Sequence, residues 1–219
     1  MVGALSAKTK WILFVCLIMA IAVVIAVGAV RYADTKEVIS RIAPDARRTA
    51  EAWAKEITKE EIKEVIQSKS RDSKAARKLE EHFNRLSRYE PQLTHGYIFG
   101  AELKNGTDTR FIAASTDLAD AAEKNGLETG DFYTQPANIA NVIEEMKKKK
   151  TTIISKPYSD DYGTWLTVVK PYLDEHGEVF AYYGIDYDVK PYVDYQRKVL
   201  LMTGSILLVL LLAVIFLMM

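Results

Sequence analysis

The sequence predicts an α+β fold: a long N-terminal helix packed on a five-stranded antiparallel sheet, with a transmembrane helix at each end. Three observations lead there. Charge is segregated along the 219 residues: no acid precedes Asp34, no charged residue follows Lys198, and all of the 29 Lys and Arg but Lys8 and Lys10 fall from Arg31 to Lys198. Near Thr94 the apolar period changes from that of a helix to that of a strand. Two turn sequences, Asn105-Gly106 and Asp174-Glu175-His176-Gly177, then fold strands back on themselves.

The ends come first. Trp11 to Val30 holds only Gly28 outside the apolar set, and a helix of that length spans about 30 Å, the thickness of a bilayer core. Val199 to Met219 is a second apolar run, softened by Thr203, Gly204 and Ser205. Lys8 and Lys10 place the N-terminus in the cytoplasm by the positive-inside rule. The division is therefore residues 1–10 cytoplasmic, 11–30 first span, 31–198 an extracytoplasmic domain, and 199–219 second span. A cleaved signal peptide is the alternative for the first run, with Ala26-Val27-Gly28 as its cleavage site. Cys16 reads as an apolar side chain within the membrane. A second span is needed only when something crosses back, so the chain is expected to be the input portion of a longer receptor, or a shortened one.

Arg31 to Tyr89 has no glycine and keeps helical spacing, as in Val38, Ile39 and Ile42. Pro44 should kink or restart the helix. Thr58-Lys59-Glu60-Glu61 fits a capping box. Ser68 to Ser73 breaks the helix, Asp72 or Ser73 caps the next, and Leu79, Phe83 and Leu86 form its stripe until Pro91. Tyr97, Phe99, Ala101 and Leu103 then alternate as a strand. Arg110 to Thr116 returns from the Asn105-Gly106 turn. Leu118 to Pro136 reads as loop. Ile139 to Lys150 is a short helix whose four closing lysines suit its C-terminal end. Thr151 to Ser155 is a strand, and Thr164 to Leu173 with Glu178 to Asp186 is a second hairpin. Asn105-Gly106-Thr107 is also a glycosylation sequon, for which the turn is sufficient reason.

Aromatic residues concentrate late. Eight of the 12 tyrosines lie between Tyr158 and Tyr195. Tyr158-Ser159-Asp160-Asp161-Tyr162-Gly163-Thr164-Trp165 is a loop whose carboxylates suit an amine or a cation and whose rings can wall it in. Packing is the alternative for each ring. Strand parity puts Asp186, Gly184 and Tyr182 on one face and Tyr183, Ile185 and Val179 on the other. The second set is the more apolar and should meet the long helix. Asp186 is then left on the ligand side with Gly184 making room beside it, or it caps the strand end through backbone N–H groups.

Tyr158 to Trp165, continued by Leu166-Thr167-Val168-Val169-Lys170-Pro171-Tyr172, resembles the penultimate-strand signature of Cache (PAS-like PDC) extracellular sensor domains. Asp174 to Val179 and Gly184-Ile185-Asp186 resemble the closing hairpin, and Gly130-Asp131-Phe132-Tyr133 the loop that sets an aromatic over the ligand. The resemblance covers 31–198 and implies a PAS-like sheet in a receptor such as a methyl-accepting chemotaxis protein, a histidine kinase or a diguanylate cyclase. The length of the first helix and the absence of glycine after Gly28 lead to the expectation that it pairs with its copy in a homodimer, and no cofactor is expected. In the amino-acid-binding branch an arginine before the aromatic pair grips the ligand carboxylate; Gly130 and Asp131 stand there in this chain. The expected ligand-binding residues are Tyr133, Tyr158, Asp161, Trp165, Thr167 and Asp186.

Other functions find little support. The near balance of 29 bases and 29 acids argues against nucleic acid as partner. No nucleophile triad order, HExxH or phosphate loop occurs, so no enzyme is expected. Asp160, Asp161 and Asp186 offer the oxygens Ca²⁺ takes, without EF-hand spacing, and no metal is expected. Two classes remain: a two-pass receptor at the cell membrane that binds a small polar ligand, and a structural membrane protein whose outer domain binds another protein. The first requires a closed pocket lined by Tyr133, Trp165 and Asp186.

Overall fold

A computed structural model describes residues 6–89, 93–160 and 163–218. Pro91, Asp161 and Tyr162, to which the sequence assigned roles, lie outside the described residues. The chain divides into two units, one of residues up to Val38 and from Lys190, the other Ile39–Val189.

The first unit holds most of helix α1 (Ala7–Trp53) and helix α6 (Lys190–Met218). Within α1, Thr9–Val30 is long and apolar enough to cross a membrane, and its Trp11, Phe14, Leu17 and Ile21 are exposed. Leu201, Met202, Ile206 and Phe216 of α6 are exposed as well.

The second unit begins inside α1. The helix runs on through Pro44 without a restart. Proline removes one N–H from the ladder, while the buried Ala46 and Ala50 hold the following turns against the domain. The helix stops at Trp53 instead, in a 3₁₀ turn (Ala54–Glu56) and an extended Ile57. Helix α2 (Lys59–Ser68) opens with the expected capping box: Thr58 N–H donates to Glu61 Oε2 at 2.9 Å and Glu61 N–H to Thr58 Oγ1 at 3.3 Å. Helix α3 (Lys74–Tyr89) is capped by Ser73, whose Oγ accepts from the Ala76 N–H.

Among the described residues seven strands follow, where five were expected: β1 (Leu93–Gly100), β2 (Asp108–Ala114), β3 (Phe132–Thr134), β4 (Ile153–Ile154), β5 (Tyr158–Ser159), β6 (Thr164–Leu173) and β7 (Val179–Asp188). They form one antiparallel sheet in the order β3-β2-β1-β7-β6-β4, with β5 also on β6. The two unforeseen strands are of two and three residues, too short to show a period of two. Leu118 to Pro136 is not loop. Helix α4 (Thr116–Lys124) and β3 occupy it, and α5 (Ala137–Lys149) follows.

Parity sorts the central strands into two faces. Tyr183 meets Phe83 at a ring separation of 5.4 Å and His82 at 6.0 Å. These belong to α3, so the short helix rather than the long one covers this face. The end of α1 touches its margin through Trp53 on His82 and through Glu51 accepting from Thr152 Oγ1. On the other face Tyr97, Phe99, Phe111 and Tyr182 pack against Ile139, Ile143 and Met146 of α5.

Candidate ligand cavity

Strand register builds the site. β1, β7 and β6 pair so that His95, Asp186 and Thr167 form one row across the sheet, and Tyr97, Gly184 and Val169 the next. All six are on the α5 face. Above the first row lies a cavity of about 500 Å³. Its floor is His95, Tyr97, Phe99 and Asp186. Tyr158, Asp160 and Trp165 form one side, and Tyr133, Gln135 and the α4 residues Leu118, Ala121 and Ala122 the other.

The Asp186 carboxylate is 8% exposed. Its Oδ1 accepts from Thr167 Oγ1 at 2.6 Å and from Tyr97 OH at 3.1 Å. Thr167 spends its single proton there, so the Tyr158 hydroxyl, 3.0 Å from Thr167 Oγ1, donates to it. The result is a polar chain, Tyr158 to Thr167 to Asp186, met by Tyr97 from the other side. Burial pushes the Asp186 carboxyl up to about 7; the Thr167 and Tyr97 hydroxyls oppose the rise and the charge of Asp160 adds to it. His95 Nδ1 lies 4.0 Å from Asp186 Oδ2. Burial holds the His95 ring below its ordinary pKa, against the pull of Asp160 and Asp117.

Two glycines make the packing possible. A Cβ on Gly184 would lie 2.0 Å from the Tyr97 ring. The room beside Asp186 that the sequence assigned to a ligand is therefore filled by Tyr97. A Cβ on Gly163 would lie 2.3 Å from the Trp165 indole. That close approach lets the indole N–H reach Asp160 Oδ1 at 2.9 Å, which also accepts the Gly163 N–H. Across the cavity, Gln135 Nε2 donates to Thr109 Oγ1 at 2.8 Å and to Tyr182 OH at 3.1 Å.

Tyr133, Tyr158, Trp165 and Asp186 thus line one cavity. Thr167 stands behind Asp186 as a donor to it, and Asp161 lies outside the described residues. Asp186 accepts from side-chain hydroxyls, which is not the backbone cap considered from the sequence. His95, Tyr97, Gln135 and the α4 wall were missed. His95 and Tyr97 share the parity of Phe99 on β1, so the strand period already carried the signal. Among the described residues no group of three His, Cys, Asp or Glu side chains is gathered to hold a metal ion.

No family model matches the chain. It is 26% identical over 133 residues to a probable methyl-accepting chemotaxis protein of Bacillus thuringiensis subsp. konkukian, a match covering 61% of this chain and 22% of the relative. The chain therefore spans about a fifth of the relative's length. Among solved structures it is similar to the sensory domain of the Campylobacter jejuni chemoreceptor Tlp3, at 11% identity and a TM-score of 0.41, over 78% of this chain and 62% of that one. It is also similar to the E. coli DcuS sensor domain, at 11% identity and a TM-score of 0.41, over 69% and 98%. The resemblance to Cache-type sensor domains drawn from the hairpin motifs and the similarity to a chemotaxis protein point the same way.

Proposed function

We propose that the chain is the input portion of a membrane receptor, such as a methyl-accepting chemotaxis protein, and senses a small polar ligand outside the cell. The observation that carries this reading is the 500 Å³ cavity with a buried carboxylate in its floor. That volume is in the range of small-molecule sites, and a buried carboxylate costs free energy until a donor meets it. In this reading Asp186 holds an ammonium or N–H of the ligand, Tyr133, Tyr158 and Trp165 enclose it, Thr167 orients the carboxylate, and Asp161 extends the acidic loop.

The same reading sets residues 11–30 and 199–219 in the bilayer and 31–198 outside, with a homodimer formed along α1. Asp186 stands four residues before Lys190, where α6 begins. A shift of β7 on ligand binding is thereby passed along the chain toward the second span, and helix shifts of 1–2 Å are of the size such receptors use.

The test is a thermal-shift screen of the full chain in detergent against amino acids, organic acids, amines and nucleobases. One class should raise the melting temperature, since a ligand at a hundred times its Kd adds about 2.7 kcal/mol. The gain should vanish in Ala122→Trp, which puts an indole into the cavity. A gain that survives this variant, or no gain with any class, refutes ligand sensing in this cavity.

A further inference from the structure

We infer that the ligand is an organic amine that carries a positive charge and no carboxylate, on an apolar or aromatic body. This rests on the sensing reading above and names the ligand class for the same cavity.

The charged side chains lining the cavity are both acids, Asp160 and Asp186; among the described residues no Lys or Arg lines it. Asp161 and Tyr162, which follow Asp160 in sequence, bring no positive charge either. His95 is the one basic group in the wall, and its burial keeps it neutral near pH 7. Lys104 and Arg110 lie 4.9 and 4.5 Å from the ring centre of Phe132, a lining residue. Neither lines the cavity, and the Arg110 guanidinium is already held by Glu102 at 2.9 Å and the Gly130 carbonyl at 2.8 Å. A ligand carboxylate entering here would lose its water and meet no cationic side chain among the described lining residues.

A cation meets the opposite conditions. The hydroxyls of Thr167 and Tyr97 both go to Asp186 Oδ1. Oδ2 carries no protein hydrogen bond among the described residues, and its nearest basic atom is the His95 ring nitrogen at 4.0 Å. An ammonium N–H can donate to Oδ2 with the carboxylate already oriented. The faces of Tyr97, Tyr133, Tyr158 and Trp165 supply the aromatic walls that attract a desolvated cation and bury an apolar body.

Three ligands with one body separate the classes: 2-phenylethylamine (amine only), phenylalanine (amine and carboxylate) and 3-phenylpropionate (carboxylate only). Isothermal titration of the full chain in detergent should find the amine tightest, phenylalanine at least tenfold weaker and the acid without measurable binding. Asp186→Asn should weaken the amine by roughly 10- to 100-fold, the loss of one charged hydrogen bond. Trp165→Leu should weaken it by roughly fivefold through the lost ring face. Arg110→Gln should leave it unchanged. The comparison of the three ligands on the unaltered chain needs no variant to fold. Phenylalanine or the acid binding as tightly as the amine overturns the inference, as does an amine affinity indifferent to Asp186→Asn. If such binding is lost in Ala122→Trp, the sensing reading stands and the amine class alone falls. Failure of 2-phenylethylamine and of the aliphatic 3-methylbutylamine to bind at all also overturns it, and the broader screen then decides the sensing reading.

Discussion

The two faces of the sheet are made from alternate residues of the same strands, and they end up with different contents. On one face Tyr183 of β7 meets Phe83 and His82 of α3, and the space is filled. On the other, Tyr182 and Phe99 pack on α5, while His95, Tyr97 and Asp186 face the α4 residues across a gap, and the gap is the cavity. Burial moves one titratable group on each face, His82 and Asp186, in opposite directions. His82, on the filled face, is pushed down to about 4 by burial, partly offset by Glu56. Asp186, on the open face, is pushed up to about 7. One face maintains the fold and the other keeps volume and an under-paired carboxylate, so their sensitivity to mutation should differ.

The largest effect is expected from truncation on the filled face. Phe83→Ala should destabilise the domain by about 3–5 kcal/mol, since Phe83 is fully buried against a rigid neighbour. Ala122→Trp, on the cavity side, should cost far less while removing ligand binding. Melting curves of the two variants side by side break the comparison if the losses are equal.

Next comes pH. In the native state His82 binds fewer protons than the unfolded chain between its ordinary 6.5 and about 4, so its contribution to stability is present above 6.5 and is lost as pH falls toward 4. Asp186 does the reverse. It keeps its proton from the ordinary 3.8 up to about 7, so its contribution is greatest below 3.8 and is lost as pH rises to 7. Relative to the unaltered chain, His82→Gln should gain stability as pH is lowered from 6.5 to 4, and Asp186→Asn as pH is raised from 4 to 7. Each difference should be on the order of 3 kcal/mol. Denaturation of the three proteins across this range is the measurement. Curves of the same slope for both variants would show that the faces do not differ electrostatically.

Gly184→Ala should cost about 1–3 kcal/mol by overpacking, because the new Cβ drives the Tyr97 ring off the sheet. It should also disturb ligand binding, since Tyr97 loses its bond to Asp186. The smallest effect belongs to neither face. Thr58→Ala removes half of the α2 capping box and should cost about 1 kcal/mol with ligand affinity unchanged. An affinity change there would mean that the α1–α2 junction is coupled to the cavity.

Much of the fold was legible because it is local. The Thr58 box, the Ser73 cap, the Asn105-Gly106 turn and the β6–β7 hairpin each need only neighbouring residues, and all four occur. Strand parity also placed Asp186 on the face away from the helical layer that Tyr183 meets. What was misread depends on partners distant in sequence. β3 and β5 are strands because β2 and β6 pair with them. The long helix was expected on the sheet because its apolar spacing is extensive, yet α3 lies there, its Phe83 ring 5.4 Å from that of Tyr183. Pro44 was expected to kink or restart the helix, and packing of Ala46 and Ala50 kept it continuous.

The sequence by itself determined the order of elements, the apolar ends and the parity that sends Tyr182, Gly184 and Asp186 to one side. Those follow from chain chemistry and from periods of 3.6 and 2 that any window displays. Only the tertiary structure decided that Tyr97 takes the space over Gly184, that Thr167 donates to Asp186, and that α4 closes the far wall. The reason is geometric: a cavity is the volume left when elements far apart in sequence have packed, and no local pattern encodes what they leave unfilled.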